Sequence, residues 1–238
     1  FMYNVTQGSD CQAFLVRTAK LAFSDFRLIG PFVKNCDADL TKFNCRKLTP
    51  NKAHAQVKVP HSQGMALECL IQAAYGNAQK DPNVKILTDV CHHEVMRLAE
   101  MQAEDWHLDR PLFFACREDR ERFCKEVPAG QGKVFECLLF NRHDKFMHPN
   151  CSSILSERAL ILGRDYRMAH PLTKACAKEM TEYKCEAQQQ LESAAHFHLN
   201  WILLCLENGA HKKLGAAPSQ ACQHEMLTHR QLMMEEFR

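Results

Sequence analysis

A cysteine pair set 25 residues apart recurs three times in this chain, from Cys11 to Cys36, from Cys91 to Cys116 and from Cys151 to Cys176, with no insertion in any copy. A repeat of fixed length constrains the fold strongly, because each copy is a supersecondary unit that must bury its apolar face against a neighbour. Aligned on their first cysteine, the copies agree at apolar positions: Leu15, Val95 and Leu155, then Ala19, Ala99 and Ala159, then Phe26, Trp106 and Tyr166. Steps of four and seven place these side chains on one face of a helix of about four turns. An acid, Asp25, Asp105 or Asp165, precedes each aromatic, and Pro31, Pro111 or Pro171 follows five positions later. The acid is expected to turn the chain, by capping the next backbone N–H groups or by pairing with Arg27, His107 or Arg167. The proline suits the first turn of the next helix.

After Cys11 the remaining cysteines fall into three sets of four: Cys36, Cys45, Cys69 and Cys91; Cys116, Cys124, Cys137 and Cys151; Cys176, Cys185, Cys205 and Cys222. Within each set the first two lie eight or nine residues apart, with Phe43, Phe123 or Tyr183 seven after the first. Along a helix that spacing is roughly 12 to 13 Å, and a disulfide needs Cα atoms within about 7 Å, so these two cannot bond to each other. The third cysteine sits in a short apolar helix and the fourth opens the long one. Short loops make neighbouring helices antiparallel. The expected bonds are therefore Cys45–Cys69 with Cys36–Cys91, Cys124–Cys137 with Cys116–Cys151, and Cys185–Cys205 with Cys176–Cys222, leaving Cys11 unpaired. A competing pattern joins each fourth cysteine to the first of the next set, as in Cys11–Cys36, and leaves Cys222 free. Parity does not separate the two. Each closed loop is worth roughly 3 kcal/mol by loop entropy, which matters for units too small to build a large core.

The 13 cysteines of this 238-residue chain, regularly spaced, indicate a disulfide framework and a secretory compartment. Asn4-Val5-Thr6 and Asn150-Cys151-Ser152 are glycosylation sequons, so Asn4 and Asn150 are expected carriers of glycan. Thirty basic against 28 acidic residues, a net charge of +2, give no bulk attraction to nucleic acid. No apolar run is long enough to span a bilayer, and no signal peptide opens the chain, so it is expected to be an internal or mature fragment of a longer protein.

No catalytic, cofactor or metal site is expected. His224 and His229 are five apart, where a zincin needs histidines four apart; His92-His93 and His196 with His198 also lack that spacing. These histidines read as solvated or packing groups. No cysteine pair has the close spacing of a zinc or redox centre, and no glycine-rich phosphate loop or nucleophile elbow is present. The alternating charges of Arg117 to Arg122 read as a solvated helix face, and His211-Lys212-Lys213 as a basic turn. Between the second and third cysteines the sets carry 23, 12 and 19 residues, and length varies where binding often resides. The longest of these stretches supplies the candidate ligand contacts Lys47, Lys52, Lys58 and His61.

The four-cysteine unit, with its Glu-Cys-Leu or Leu-Cys-Leu third cysteine and its Asp-aromatic turn leading to Pro-Leu-x-x-x-Cys, resembles the repeat of the cysteine-rich fibroblast growth factor receptor family. The likeness runs from Cys11 to the end of the chain. It implies the luminal part of a Golgi membrane sialoglycoprotein, also found at the cell surface or secreted after cleavage. The partners it implies are fibroblast growth factors, other secreted growth factors, and E-selectin through glycans. The reading is an all-α, tandem, disulfide-stapled array: a closing helix at 1–31 and cysteine-rich repeats at 32–110, 111–170 and 171–238. Its expected function is binding without catalysis, through growth-factor retention or trafficking, or else as a glycan-bearing spacer recognised by E-selectin.

Overall fold

The computed structural model describes residues 10–46, 64–76, 87–185, 198–212 and 217–235. Their regular structure is helical, with no strand among the described residues, and the all-α, disulfide-stapled class expected from the repeat is the one adopted. Two compact units meet in sequence at Arg117 and Glu118. The first holds α1 (Asp10–Ser24), α2 (Gly30–Lys42), α3 (Met65–Gly76), α4 (Asp89–Glu104) and the start of α5 (Arg110–Phe123). The second holds the rest of α5, α6 (Lys133–Phe140), α7 (Pro149–Arg164), α8 (His170–Ala175), α9 (Ala177–Glu182), α10 (Leu199–Lys212) and α11 (Gln220–Glu235).

The repeat fixes the buried face of each long helix. In α4 that face is Cys91, Val95, Leu98 and Ala99; in α7 the same positions are Cys151, Leu155, Arg158 and Ala159, all buried. Helix α2 packs on α4 in the first unit, and α8 packs on α11 in the second. The equivalent face of α1 is open: Cys11 and Thr18 are exposed and Leu15 and Ala19 only half-buried.

The acids of the turn do both things expected of them. Asp25 and Asp165 each cap a 3-10 turn, accepting the backbone N–H and the Nε–H of Arg27 and Arg167. Asp105 accepts the backbone N–H of His107 at 3.0 Å and lies 2.8 Å from its Nδ1. Pro31 and Pro171 then sit in the first turns of α2 and α8.

A second recurrent acid emerges only in three dimensions. Three residues after the first cysteine of each set stand Asp39, Asp119 and Glu179, all buried. Each accepts the backbone N–H three residues before the fourth cysteine: Thr88 at 3.2 Å, His148 at 3.2 Å and Ser219 at 2.8 Å. Since the first turn of a helix has unsatisfied N–H donors and favours negative charge, this carboxylate ties the start of each long helix to the helix that carries the acid. The alternating charges from Arg117 to Arg122 are therefore not a purely solvated face, because Asp119 turns inward.

Disulfides reinforce the same contacts. Cys36–Cys91 joins α2 to α4 and Cys45–Cys69 ties the end of α2 to α3, with Cα separations of 4.6 and 5.6 Å. Cys124–Cys137 links the end of α5 to α6, Cys176–Cys222 links the α8–α9 junction to α11, and Cys185–Cys205 links the end of α9 to α10. Cys116 and Cys151 are disulfide-bonded as well, and Cys11 is free and exposed. The choice between eight and nine residues also has a structural origin. Where the spacing is nine, the extra residue, Asn44 or Lys184, takes a left-handed conformation at φ 56° or 57° just before the second cysteine. Where it is eight, Phe123 runs directly into Cys124.

Candidate functional site

Three helices of the second unit enclose a groove of about 600 Å³. Lys133, Glu136 and Phe140 line it from α6, Pro171 and Lys174 from α8, and His224, Glu225 and Thr228 from α11. The steps of three and four within α6 put its contributors on one helical face. Glu225 and His229 share a face of α11 for the same reason, and His229, 2% exposed, occupies the position seven after the fourth cysteine that Leu98 and Arg158 hold in α4 and α7.

One donor atom from each of Glu136, Glu225 and His229 falls within 4.8 Å of the others. The His229 Nδ1–H donates to the Glu225 backbone carbonyl at 2.9 Å, and Nδ1 lies 3.7 Å from Glu225 Oε2. Glu136 Oε1 and Glu225 Oε2 are buried and have no donor while both carboxyls are ionised; with one protonated, the two side chains hydrogen-bond to each other. Burial pushes the Glu136 carboxyl up to about 7, helped by facing Glu225 and opposed by Lys133. Burial also raises Glu225, against His224 and Lys133. For His229 burial works the other way, lowering its pKa to about 4 even though its bond to the carbonyl favours the charged ring. At neutral pH the cluster therefore holds a neutral imidazole beside two carboxyls that resist ionising together. Among the described residues, this is the group of side chains that could hold a metal ion.

Sequence reasoning weighed the spacing between His224 and His229 and passed over this cluster. The informative interval was Glu225 to His229, four residues on one helix face. Glu136 carries no local signal, being brought in from a helix far away in sequence.

The other candidates are dispersed. Lys47, Lys52, Lys58 and His61, together with Asn4 and His196, lie outside the described residues. Asn150 is exposed in the first turn of α7, next to the buried Cys151. His92, His93, His211 and His224 are exposed and His198 is half-buried.

The model of the family described as a cysteine-rich repeat, designated Cys-rich FGFR, matches residues 9–77 and 89–146. The chain is 64% identical to the Golgi apparatus protein 1 homolog of Caenorhabditis elegans, over 100% of its own length and 21% of that protein. It is 35% identical to Golgi apparatus protein 1 of Gallus gallus over 98% of the chain and 20% of that protein. Against the Homo sapiens protein the identity is 33%, over 98% and 19%. The chain thus spans about a fifth of the length of the curated relatives it matches. No solved structure matches it.

Proposed function

The chain belongs to the cysteine-rich repeat family and is a homologue of Golgi apparatus protein 1, and from that premise we propose that it is a non-enzymatic binding array of the Golgi lumen whose ligands are fibroblast growth factors. The observation that carries this reading is the match of the cysteine-rich repeat model, with its growth-factor-receptor designation, to two stretches of the chain. The shared positions are occupied by scaffold: bonded cysteines, turn-capping acids and the buried carboxylates that lock helix starts. Partner choice then falls to the segments that differ between repeats, and we assign growth-factor contacts to Lys47, Lys52, Lys58 and His61. The array divides on this reading into a closing helix at 1–31 and repeats at 32–110, 111–170 and 171–238, with affinity adding over successive repeats. Its role is retention or trafficking of growth factors in the secretory pathway.

Exposure of Asn150 favours a second reading, in which carbohydrate on that residue is what E-selectin recognises and the peptide is a spacer. One experiment separates the two: binding of the purified chain to a panel of fibroblast growth factors and to E-selectin, before and after enzymatic removal of N-glycans. Growth-factor binding that survives deglycosylation supports the first reading. E-selectin binding that disappears with the glycans, without growth-factor binding at any stage, supports the second and rejects the first.

A further inference from the structure

We propose that Glu136, Glu225 and His229 form a binding site for a divalent first-row metal ion that clips α6 to α11.

The donor set is mixed, two carboxylates and an imidazole, which suits borderline cations such as Zn²⁺ and distinguishes it from an ordinary acidic surface cluster. Its parts come from two helices that disulfides secure to different neighbours: Cys124–Cys137 ties α6 to the end of α5, and Cys176–Cys222 ties α11 to the α8–α9 junction. One possible ligand atom of each residue, Nδ1 or Nε2 for His229, lies within 4.8 Å of the others; with Nδ1–H held by the Glu225 carbonyl, Nε2 is the nitrogen that would take the ion. Tetrahedral Zn²⁺ with bonds near 2.0 to 2.2 Å holds its ligands about 3.4 Å apart, so small rotamer changes of the two glutamates complete the geometry.

A half-buried pair of carboxyls beside a buried imidazole needs a counter-charge or a proton. With both carboxyls ionised, Glu136 Oε1 and Glu225 Oε2 are buried without a donor, and a buried acceptor left unsatisfied is costly. A cation between them satisfies both at once. His229 is buried and held in place by its Nδ1–H bond to the Glu225 carbonyl, which is the kind of support that orients a metal-ligating imidazole. The adjoining groove leaves room for a water as a fourth ligand. Lys133, Lys174 and His224 also line that groove; Lys133 repels the ion but also favours the ionised form of the Glu136 carboxyl.

The test uses the untagged chain, stripped with EDTA, titrated with ZnCl₂ by calorimetry and with CoCl₂ by visible absorption. It compares wild type with Glu136→Gln, Glu225→Gln and the double variant His92→Asn/His93→Asn. His229 is too deeply buried for its replacement to be a clean test, whereas the glutamines keep size and shape. The expected result is a saturable site for one ion in wild type and in the His92/His93 variant. Its affinity falls about tenfold or more in each glutamine variant, with loss of the Co²⁺ bands. Glutamine variants that bind as wild type does would place any metal elsewhere and overturn the proposal. So would wild type that takes up no ion saturably, which would mean that the two carboxyls are neutralised by a shared proton alone.

Discussion

Glu136 and His229 sit in contact range yet respond to acid in opposite senses. The folded pKa of Glu136 is raised from 4.5 to about 7, so its contribution to stability is fully present below 4.5 and is lost as pH rises through 7. The folded pKa of His229 is lowered from 6.5 to about 4, so its contribution is present above 6.5 and is lost as pH falls through 4. The two windows overlap and the shifts are similar in size, so in metal-free protein they largely offset each other between pH 7 and 4. Glu136→Gln removes one side of that balance. In EDTA, its urea midpoint relative to wild type should be higher at pH 7.5 and converge on wild type by about pH 4.5, making the variant the more acid-sensitive chain. A constant difference across that range would mean that Glu136 keeps an ordinary carboxyl pKa in the fold. Sequence patterns do not reveal such balances, because burial is set by a helix that arrives from elsewhere in the chain.

At the scale of elements, the repeat is a set of helices whose ends are secured separately from their faces. The faces follow from periodicity, and the ends from Asp25, Asp105 and Asp165 at one turn and from Asp39, Asp119 and Glu179 at the other. The first group was legible, since an acid before an aromatic and a proline afterwards spell out a turn. The second group was not singled out, although an acid three residues after the first cysteine is present in every set. Its partner is a backbone N–H some 30 to 50 residues away, and nothing local marks it. Packing between elements shows the same dependence on distance at Gly209 of α10. A Cβ added there would clash with the buried Tyr183 ring that closes α9. Alanine raises helix propensity by about 1 kcal/mol over glycine, but overpacking a filled core costs about 1 to 3 kcal/mol. Gly209→Ala should therefore lower stability in chemical denaturation, with a near-neutral result showing that Tyr183 can shift aside.

For the whole molecule, cysteine chemistry gives the broadest check. Twelve cysteines are bonded, and Cys11, at the position equivalent to Cys91, Cys151 and Cys222, is free. Alkylation of the unreduced chain in denaturant should label one thiol, and peptide mapping should place it at Cys11. Label at Cys222 with Cys11 protected would require the competing connectivity in which fourth cysteines bond forward in sequence. The sequence by itself determined the helical class, the buried faces of α4 and α7, the turn acids and the bar on bonding between the first two cysteines of each set. These are consequences of local spacing, since 3.6 residues per turn converts sequence interval directly into direction and distance. Only the tertiary structure decided which acids leave water, why one cysteine interval is shorter by a residue, and that Glu136 meets Glu225 and His229. These depend on contacts between helices separated by loops of variable length, where sequence interval no longer measures distance.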